Sequence, residues 1–222
     1  MKSFKWIYEH VEAHRSGEDI EGLLPIAKTS GQLASTSDDR LLSDLVRRVF
    51  RAGLKHSLVD SKWPEFEKAF FCFDPEKISL MSDEQLENLM QNDKIIRHWG
   101  KIKSVRHNAL MVHELAAKHG SFAQFLAQWP SEDIVGLWAF LKNNGKQLGG
   151  NSGASFLRMI GKDTFMLTDD VVAALKAQGI VDKKPTSKRD LQTVQESFNQ
   201  WQIESGRPLC QISRLLSYTV GW

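Results

Sequence analysis

The chain has 222 residues, with 29 lysines and arginines against 27 aspartates and glutamates, and a net charge of +2. This length suits one large domain or two helical lobes, and the near-neutral charge allows a nucleic-acid partner only if basic residues gather on one face. No apolar run is long enough to cross a membrane, and residues 1–6 lack the apolar stretch of a secretory signal. The only cysteines are Cys72, which is expected in the core, and Cys210. So few cysteines are typical of a reduced cytoplasmic protein.

The first half of the chain predicts a succession of helices. Leucines and valines between residues 41 and 50 repeat at helical spacing. Further helix signals are a proline near a helix start, a capping box, a long stretch with one glycine, and a serine N-cap. These signals lie at Pro64, residues 82–85, residues 95–118 and Ser121, respectively. Residues 1–40 are expected only to pack, around Trp6 and Tyr8.

The second half predicts two helices joined by a glycine-rich turn. A helix over residues 134–143 is followed by the turn at residues 148–153, and a second helix covers residues 154–160. A loop then leads to Thr168, a predicted N-cap. A further helix is predicted to start at residue 169. A final pair of helices covers residues 191–201 and 209–218, and a capping box precedes the helix at residue 191. No strand-like alternation is sustained, so the sequence predicts an all-α protein.

The glycine-rich turn is suited to holding an anion. Glycine accepts positive φ, so several backbone N–H groups can point one way, and the following helix adds unpaired donors. The sequence therefore predicts a DNA-backbone phosphate site. Its candidate residues are Lys146, Leu148, Gly149, Gly150, Asn151, Ser152 and Gly153. From the turn alone, a plain corner between two packed helices is an equally good interpretation.

Two aspartates follow this turn in sequence. Asp169 and Asp170 stand directly after Thr168, in the first turn of a predicted helix, where negative charge favours the helix dipole. A simple helix-stabilising carboxylate is one interpretation of this pair. A functional carboxylate is the favoured interpretation, because a short apolar loop after the second helix of the hairpin leads to the pair.

The segment from Gly145 to Val172 resembles the helix-hairpin-helix DNA glycosylases, in which a hairpin is followed by a loop and an essential aspartate. It looks most like their alkylpurine branch, which often carries two consecutive aspartates at this place. The resemblance implies that Asp170 is catalytic, with Asp169 as the alternative. Residues 153–158 contain no lysine where bifunctional relatives carry one, which implies a monofunctional enzyme without lyase chemistry.

Over residues 41–175 the chain is similar to the bacterial 3-methyladenine DNA glycosylase I family. The matching motifs lie at residues 51–54, 66–75, 93–97, 101–102, 108–109 and 120–122. The resemblance implies a helix-hairpin-helix glycosylase-like fold with two helical lobes around a cleft. Within a single unit, 1–222, residues 41–130 would form a lobe with base-pocket candidates, residues 131–185 would hold the hairpin and the aspartates, and the termini would pack on these.

The departures from that family alter its base pocket. Arg48 stands near the place of the family's base-reading glutamate, and His56 stands at the place of its pocket tryptophan. The family's zinc-binding residues near the termini have no counterparts, so no metal ligands are expected. In relatives the hairpin backbone can hold a structural monovalent cation, and the resemblance implies the same place here. The base-pocket candidates are Arg48, His56, Trp63, Trp99 and Trp138.

Three functions remain open from the sequence. The first is a repair glycosylase that hydrolyses the N-glycosidic bond of a damaged base, an alkylated purine, in double-stranded DNA, and the aspartate pair favours it. The second is a non-catalytic DNA- or lesion-binding protein on the same fold, which the altered pocket favours. The third is a helical protein-interaction domain with no DNA role. If Arg48 lines the pocket, its charge would repel a cationic alkylated base, which argues for a neutral or different lesion.

Overall fold

The structure is a computed structural model, and it describes residues 1–220. Within these residues there is no β-strand, which confirms the predicted all-α class, and no helix is long and apolar enough to span a membrane. The α-helices of the described chain are, in order, α1 (Phe4–His14), α2 (Ser30–Ala34), α3 (Asp38–Arg51), α4 (His56–Ala69), α5 (Pro75–Ser79), α6 (Asp83–Asn88), α7 (Trp99–His119), α8 (Phe122–Gln128), α9 (Ile134–Asn144), α10 (Ser152–Ile160), α11 (Asp169–Ala177), α12 (Lys188–Ser205) and α13 (Leu209–Ser217).

The chain divides into two compact units, and the division falls within α9. The first unit combines residues 1–28, 130–137 and the chain from 161 onward, and the second combines residues 29–129 with 138–160. The second unit therefore contains the turn and second helix of the predicted hairpin, and the first contains the aspartate pair. The division into lobes predicted from the sequence stays a prediction.

The first unit is built around stacked aromatic rings. Phe165 stacks on Phe198 with ring centroids 4.2 Å apart, and Trp201 meets Phe198 edge to face at 5.4 Å. All three side chains are fully buried. Buried aromatic side chains of this size stabilise a core by about 2–3 kcal/mol each. This cluster fixes the loop that leads to the aspartates, because Phe165 belongs to that loop.

The second unit is built around α3, whose apolar face is buried. Leu41, Leu45, Val49 and Phe50 lie on that face and are at most 1% exposed. Phe50 packs edge-on against Phe66 of α4 at 4.6 Å. The helical spacing read from the sequence is thus the spacing of a core-facing stripe.

Predicted helix starts are confirmed where a side chain caps its own helix. Ser82 and Gln85 form a reciprocal capping box at α6, and Ser121 accepts a hydrogen bond from the Gln124 N–H at α8. Thr168 accepts a hydrogen bond from the Val171 N–H and opens α11. Such caps need only residues three apart in sequence, so the local pattern is sufficient to predict them.

Two predicted helix starts are wrong. Pro64 lies inside α4, well after its first residue His56. Pro64 is exposed there, and it removes one backbone donor from the helix. The long helix α7 starts at Trp99, not at residue 95, because the His98 ring accepts a hydrogen bond from the Lys101 N–H and caps it.

The prediction that Cys72 lies in the core is also wrong. Phe71, Cys72 and Phe73 have φ angles of 51°, 54° and 59° and form a left-handed turn after α4. The turn places Phe70 and Phe73 in the core and exposes Phe71 and Cys72. Apolar composition indicated a buried segment, but the left-handed turn sends its two middle side chains outward.

Candidate nucleic-acid interface

The predicted hairpin is present as α9 and α10, joined by residues 145–151, here called the hairpin turn. Positive φ occurs at Gln147 (64°) and at Gly150 (57°). The Ser152 N–H donates to the Gly149 carbonyl at 3.1 Å, which closes the turn as α10 begins. The second helix begins two residues earlier than predicted, because Ser152 and Gly153 are already helical.

Backbone donors of the hairpin turn are left without acceptors. Within residues 1–220 no acceptor lies at the N–H groups of Leu148, Gly149 and Gly150. Gly149 and Gly150 are exposed, whereas the Leu148 side chain is only 2% exposed and anchors the turn in the core. Consecutive amide donors of this kind favour an anion. Lys146, at the start of the turn, is exposed and adds positive charge.

Two glycines allow the hairpin to pack closely. A Cβ at Gly145 would lie 2.5 Å from the Leu148 side chain and 2.8 Å from the Leu141 carbonyl oxygen. A Cβ at Gly153 would lie 3.3 Å from the Leu148 carbonyl oxygen. Packing therefore requires glycine at residue 145 and favours it at residue 153, while the positive φ favours glycine at residue 150.

Helix α7 holds the hairpin turn in place. The fully buried Asn108 accepts a hydrogen bond from the Lys146 N–H at 2.8 Å and donates one to the Lys146 carbonyl at 3.1 Å. The His107 ring bonds to the Asn144 carbonyl at 2.9 Å, as a donor through Nε2. Sequence reasoning quoted Asn108 only as part of a family motif. Its signal was a polar residue among the apolar positions of a long helix, where a buried side chain needs partners.

The loop before the aspartates is fixed within the first unit. Asp163 accepts hydrogen bonds from the Leu209 and Cys210 N–H groups, both at 2.9 Å, and so caps α13. The Met166 N–H donates to the Ser213 hydroxyl at 3.0 Å. Asp163 is therefore a structural carboxylate, because its oxygens are used by a helix N-terminus.

The aspartate pair lies at the start of α11. Asp169 is 97% exposed and forms a 3.4 Å ion pair with Lys184. Asp170 is exposed, and within the part of the chain that is described its carboxylate has no hydrogen-bond or ion-pair partner. An exposed ion pair contributes little to stability, about 0–1 kcal/mol. Of the two carboxylates, that of Asp170 is the one free to meet a ligand.

Arg48 lies in a strongly positive part of the second unit. It is partly buried on α3, and its buried Nε has no acceptor among the described residues. Burial lowers the pKa of the Arg48 guanidinium, and the neighbouring Arg51 lowers it further. Lys101 is also buried, which lowers its pKa, and Arg48 adds to that shift. Arg51 is neutralised by Asp60 at 2.7 Å, which leaves the charge of Arg48 without a carboxylate partner.

The side chain of Lys101 has a structural role that sequence reasoning did not identify. Its Nζ donates to the Phe50 carbonyl at 3.2 Å and to the Ala52 carbonyl at 2.6 Å. These carbonyls lie at the C-terminus of α3, where a cation and a donor are favoured. Lys101 thereby fixes the end of the helix that carries Arg48.

The other pocket candidates differ in exposure. His56 is exposed as the first residue of α4, and Trp99 and Trp138 are partly exposed. Trp63 is only 3% exposed, its Nε1 donates to Ser43 at 3.0 Å, and its ring stacks with Phe66 and Phe73. Its place in this core cluster corrects the expectation that Trp63 forms a pocket wall, because a base needs an accessible ring face to stack on.

Metal-ligating side chains do not converge in the described residues. Across residues 1–220 no three histidine, cysteine, aspartate or glutamate side chains are placed so that they could hold one ion.

The fold is the helix-hairpin-helix glycosylase-like fold that the sequence predicted. The sequence model of the family described as methyladenine glycosylase matches residues 31–184. The chain belongs to this methyladenine glycosylase family.

Relatives and solved structures agree with that assignment. DNA-3-methyladenine glycosylase 1 of Escherichia coli (strain K12) is 34% identical over 76 residues, which cover 34% of this chain and 41% of that protein. The match thus spans about two fifths of the relative's length. A crystal structure of 3-methyladenine DNA glycosylase I is 25% identical with a TM-score of 0.51, covering 66% of this chain and 90% of that chain.

The fold extends beyond that family. The 8-oxoguanine DNA glycosylase of Thermotoga maritima superimposes with a TM-score of 0.55 at 17% identity. The superposition covers 98% of this chain and 97% of that chain. At this identity the likeness concerns the fold alone.

Proposed function

We propose that the chain is a monofunctional DNA glycosylase that hydrolyses the N-glycosidic bond of a damaged base, an alkylated purine, in double-stranded DNA. The observation that carries the proposal is the hairpin turn, where the N–H groups of Leu148, Gly149 and Gly150 have no acceptor among residues 1–220. Membership of the methyladenine glycosylase family supports the choice of reaction.

The hairpin turn is proposed to hold a DNA phosphate. Its free amides would donate to phosphate oxygens, and Lys146 would add a charge-assisted contact. Asn151, Ser152 and Gly153 follow these amides at the start of α10, whose N-terminus favours negative charge. Such contacts position the protein on the duplex without reading sequence.

Asp170 is proposed as the catalytic carboxylate, with Asp169 as the alternative. As the N-glycosidic bond breaks, the bonding electrons leave with the base and positive charge develops on the sugar. A neutral base departs as an anion and takes up the proton that the attacking water gives up. A carboxylate beside that sugar stabilises the charge and accepts a proton from the attacking water, whose oxygen bonds to the sugar carbon. The exposure of Asp170 and its lack of a protein partner support this role.

The proposed base pocket comprises Arg48, His56, Trp99 and Trp138. An arginine without a carboxylate partner repels a cationic leaving base and can donate to carbonyl or ring-nitrogen acceptors of a neutral one. Among alkylated purines we therefore propose a neutral base as the substrate. Release of a neutral alkylated purine, with slower release of cationic 3-methyladenine, is the expected order, and the reverse order would contradict it.

Release of free base tests the enzyme proposal. Duplex DNA carrying defined alkylated purines is incubated with the protein, and free base and abasic sites are measured separately. Because the proposed enzyme lacks lyase chemistry, abasic sites should accumulate without strand cleavage. Asp170→Asn should lower release by about 100-fold or more, as expected for loss of a positioned acid–base group.

Two matched variants make this test specific. Asp169→Asn is the direct competitor for the catalytic role, and Asp182→Asn removes another exposed carboxylate of the same unit. Full activity in Asp170→Asn with loss in Asp169→Asn would transfer the role to Asp169. Full activity in Asp170→Asn and also in Asp169→Asn would refute catalysis by this aspartate pair.

A non-catalytic DNA- or lesion-binding protein on the same fold is the second candidate. The unpaired charge of Arg48 and the exposed position of His56 favour it, because both replace residues that the related family uses to hold a base. Salt-sensitive DNA binding without base release from any substrate would support this candidate over the enzyme. Absence of DNA binding would favour a protein-interaction domain.

We also propose a structural monovalent cation at the hairpin turn. The carbonyl oxygens of Gln147 and Leu148 accept no hydrogen bond within residues 1–220, and carbonyl oxygens are suitable ligands for such an ion. Replacing potassium and sodium by a bulky tetraalkylammonium salt at equal ionic strength should weaken DNA binding. Equal affinity in all three salts would exclude the cation.

A further inference from the structure

A groove lies beside the hairpin turn in the second unit. It has a volume of about 410 Å³ and is lined by Ser79 of α5, by one face of α7, and by Lys146 and Gln147 of the hairpin turn. The groove and the proposed phosphate site share Lys146. The groove therefore reaches the first residues of the hairpin turn.

The charge of the groove is positive. Lys103, Arg106, His107 and Lys146 all line it, and none of its lining residues in the described chain is acidic. Asp83 neutralises Arg106 at 2.6 Å. Lys103 and Lys146 have no carboxylate partner within residues 1–220, so their charges remain available.

Lys103 is held where a second phosphate could be met. Its ammonium lies 5.3 Å from the centroid of the Trp99 ring, a cation–π contact that leaves the ammonium without an ionic partner. Lys103 and His107 are one helical turn apart on α7, about 6 Å along the axis. The two side chains therefore lie on the same face of the helix.

The groove and the hairpin turn form one rigid frame. Asn108 bonds both backbone groups of Lys146, and His107 bonds the Asn144 carbonyl. These hydrogen bonds connect α7 to the last residue of α9 and to the second residue of the hairpin turn. The helix that carries Lys103 is therefore already in place when a polyanion binds the turn, which lowers the ordering cost of a second contact.

We propose that this groove is a second DNA-backbone contact, in which Lys103 binds another phosphate of the duplex whose first phosphate is held at the hairpin turn. The proposal rests on the proposed DNA-binding function and extends its footprint along α7. Duplex DNA is favoured over an acidic protein because the groove continues the surface of free backbone amides at the turn, and regularly spaced phosphates can use both places together.

The test measures the salt dependence of binding to an undamaged duplex. Each lost phosphate contact lowers the slope of log K against log salt by about 1. Lys103→Gln should lower the slope by about 1 and weaken binding roughly tenfold at low salt. Lys146→Gln tests the hairpin turn, and the double variant should lower the slope by about 2. Lys68→Gln removes a lysine paired with Glu65 elsewhere in the same unit and should change neither quantity.

The outcomes separate the two proposals. No DNA binding by the unaltered protein would overturn the proposed function itself. Binding that weakens in Lys146→Gln but is identical in Lys103→Gln and Lys68→Gln would keep that function and overturn the groove. If polyglutamate binds in a Lys103-dependent way while duplex binding does not depend on Lys103, the groove serves an acidic protein, and the proposed DNA contact is wrong.

Discussion

Asn108 and Lys146 are joined by two hydrogen bonds although they are 38 residues apart in sequence. One buried amide thus satisfies both the backbone N–H and the backbone carbonyl of the residue that opens the hairpin turn. Because the pair fixes main-chain atoms, it positions the following backbone donors whatever the lysine side chain does.

Asn108→Ala should destabilise the protein by about 1–3 kcal/mol, because two partly buried backbone groups lose their partners. DNA affinity should fall with it, since the hairpin turn is no longer held. Denaturant unfolding and DNA titration of the same sample measure both effects. Asn88→Ala, at an exposed position on α6, is the control and should change neither. An Asn108→Ala protein of unchanged stability would contradict the clamp.

Gly145→Ala should destabilise the protein by about 1–3 kcal/mol, because its Cβ would overlap the Leu148 side chain and the Leu141 carbonyl. The matched variant is Gly149→Ala in the same turn. Its Cβ would meet only the Lys142 side chain, at 3.9 Å, and its φ is not positive. Thermal unfolding of both variants gives the comparison. Equal losses at the two positions would mean that packing is not what selects glycine at residue 145.

Lys101→Met should cost about 1–3 kcal/mol, because it leaves the Phe50 and Ala52 carbonyls without their shared donor. The apolar part of the side chain is kept, so the loss reports the cap. Lys118→Met, at an exposed position on the same helix, is expected to be neutral within about 0.5 kcal/mol. Urea unfolding is the measurement. A Lys101→Met protein as stable as Lys118→Met would show that the cap contributes nothing.

Glu67 makes stability depend on pH. Burial raises the pKa of its carboxyl, but hydrogen bonds from Arg40, Ser43 and Trp63 outweigh burial and hold the pKa below its ordinary value of 4.5. The ionised carboxylate therefore stabilises the fold above about pH 4.5, and this stabilisation is lost as the pH falls through the lowered pKa.

Glu67→Gln should cost about 1–3 kcal/mol at neutral pH and progressively less as the solution is acidified below pH 4.5. Unfolding free energies measured at several pH values for both proteins give the difference. Glu87→Gln, an exposed change on α6, should leave the pH profile unaltered. A difference between Glu67→Gln and the unaltered protein that is constant with pH would contradict the assignment.

Local features were predictable from the sequence because their partners are local. Ser82, Ser121 and Thr168 each cap the helix that begins beside them, and the two helices of the hairpin follow from apolar spacing on either side of a glycine-rich turn. The family resemblance was predictable because many short motifs occur in the right order, and the match to residues 31–184 confirms it.

Features that depend on tertiary contacts were not predictable. The surroundings of Trp63 required knowing that Ser43, Phe66 and Phe73 meet it, and nothing in a lone tryptophan distinguishes a core ring from a pocket wall. The roles of Asn108 and Lys101 likewise depend on carbonyls and amides far along the chain. A polar residue on an apolar helix face indicates a buried partner without saying which one.

The left-handed turn at Phe71–Phe73 gives the protein two thiols of unequal accessibility. Cys72 is exposed, whereas Cys210 is 1% exposed in the first unit. A maleimide dye should label the Cys72 thiol rapidly. It should label the Cys210 thiol only when that unit opens. The slow phase of labelling would therefore time the opening of the unit that carries the aspartates, with no engineered cysteine.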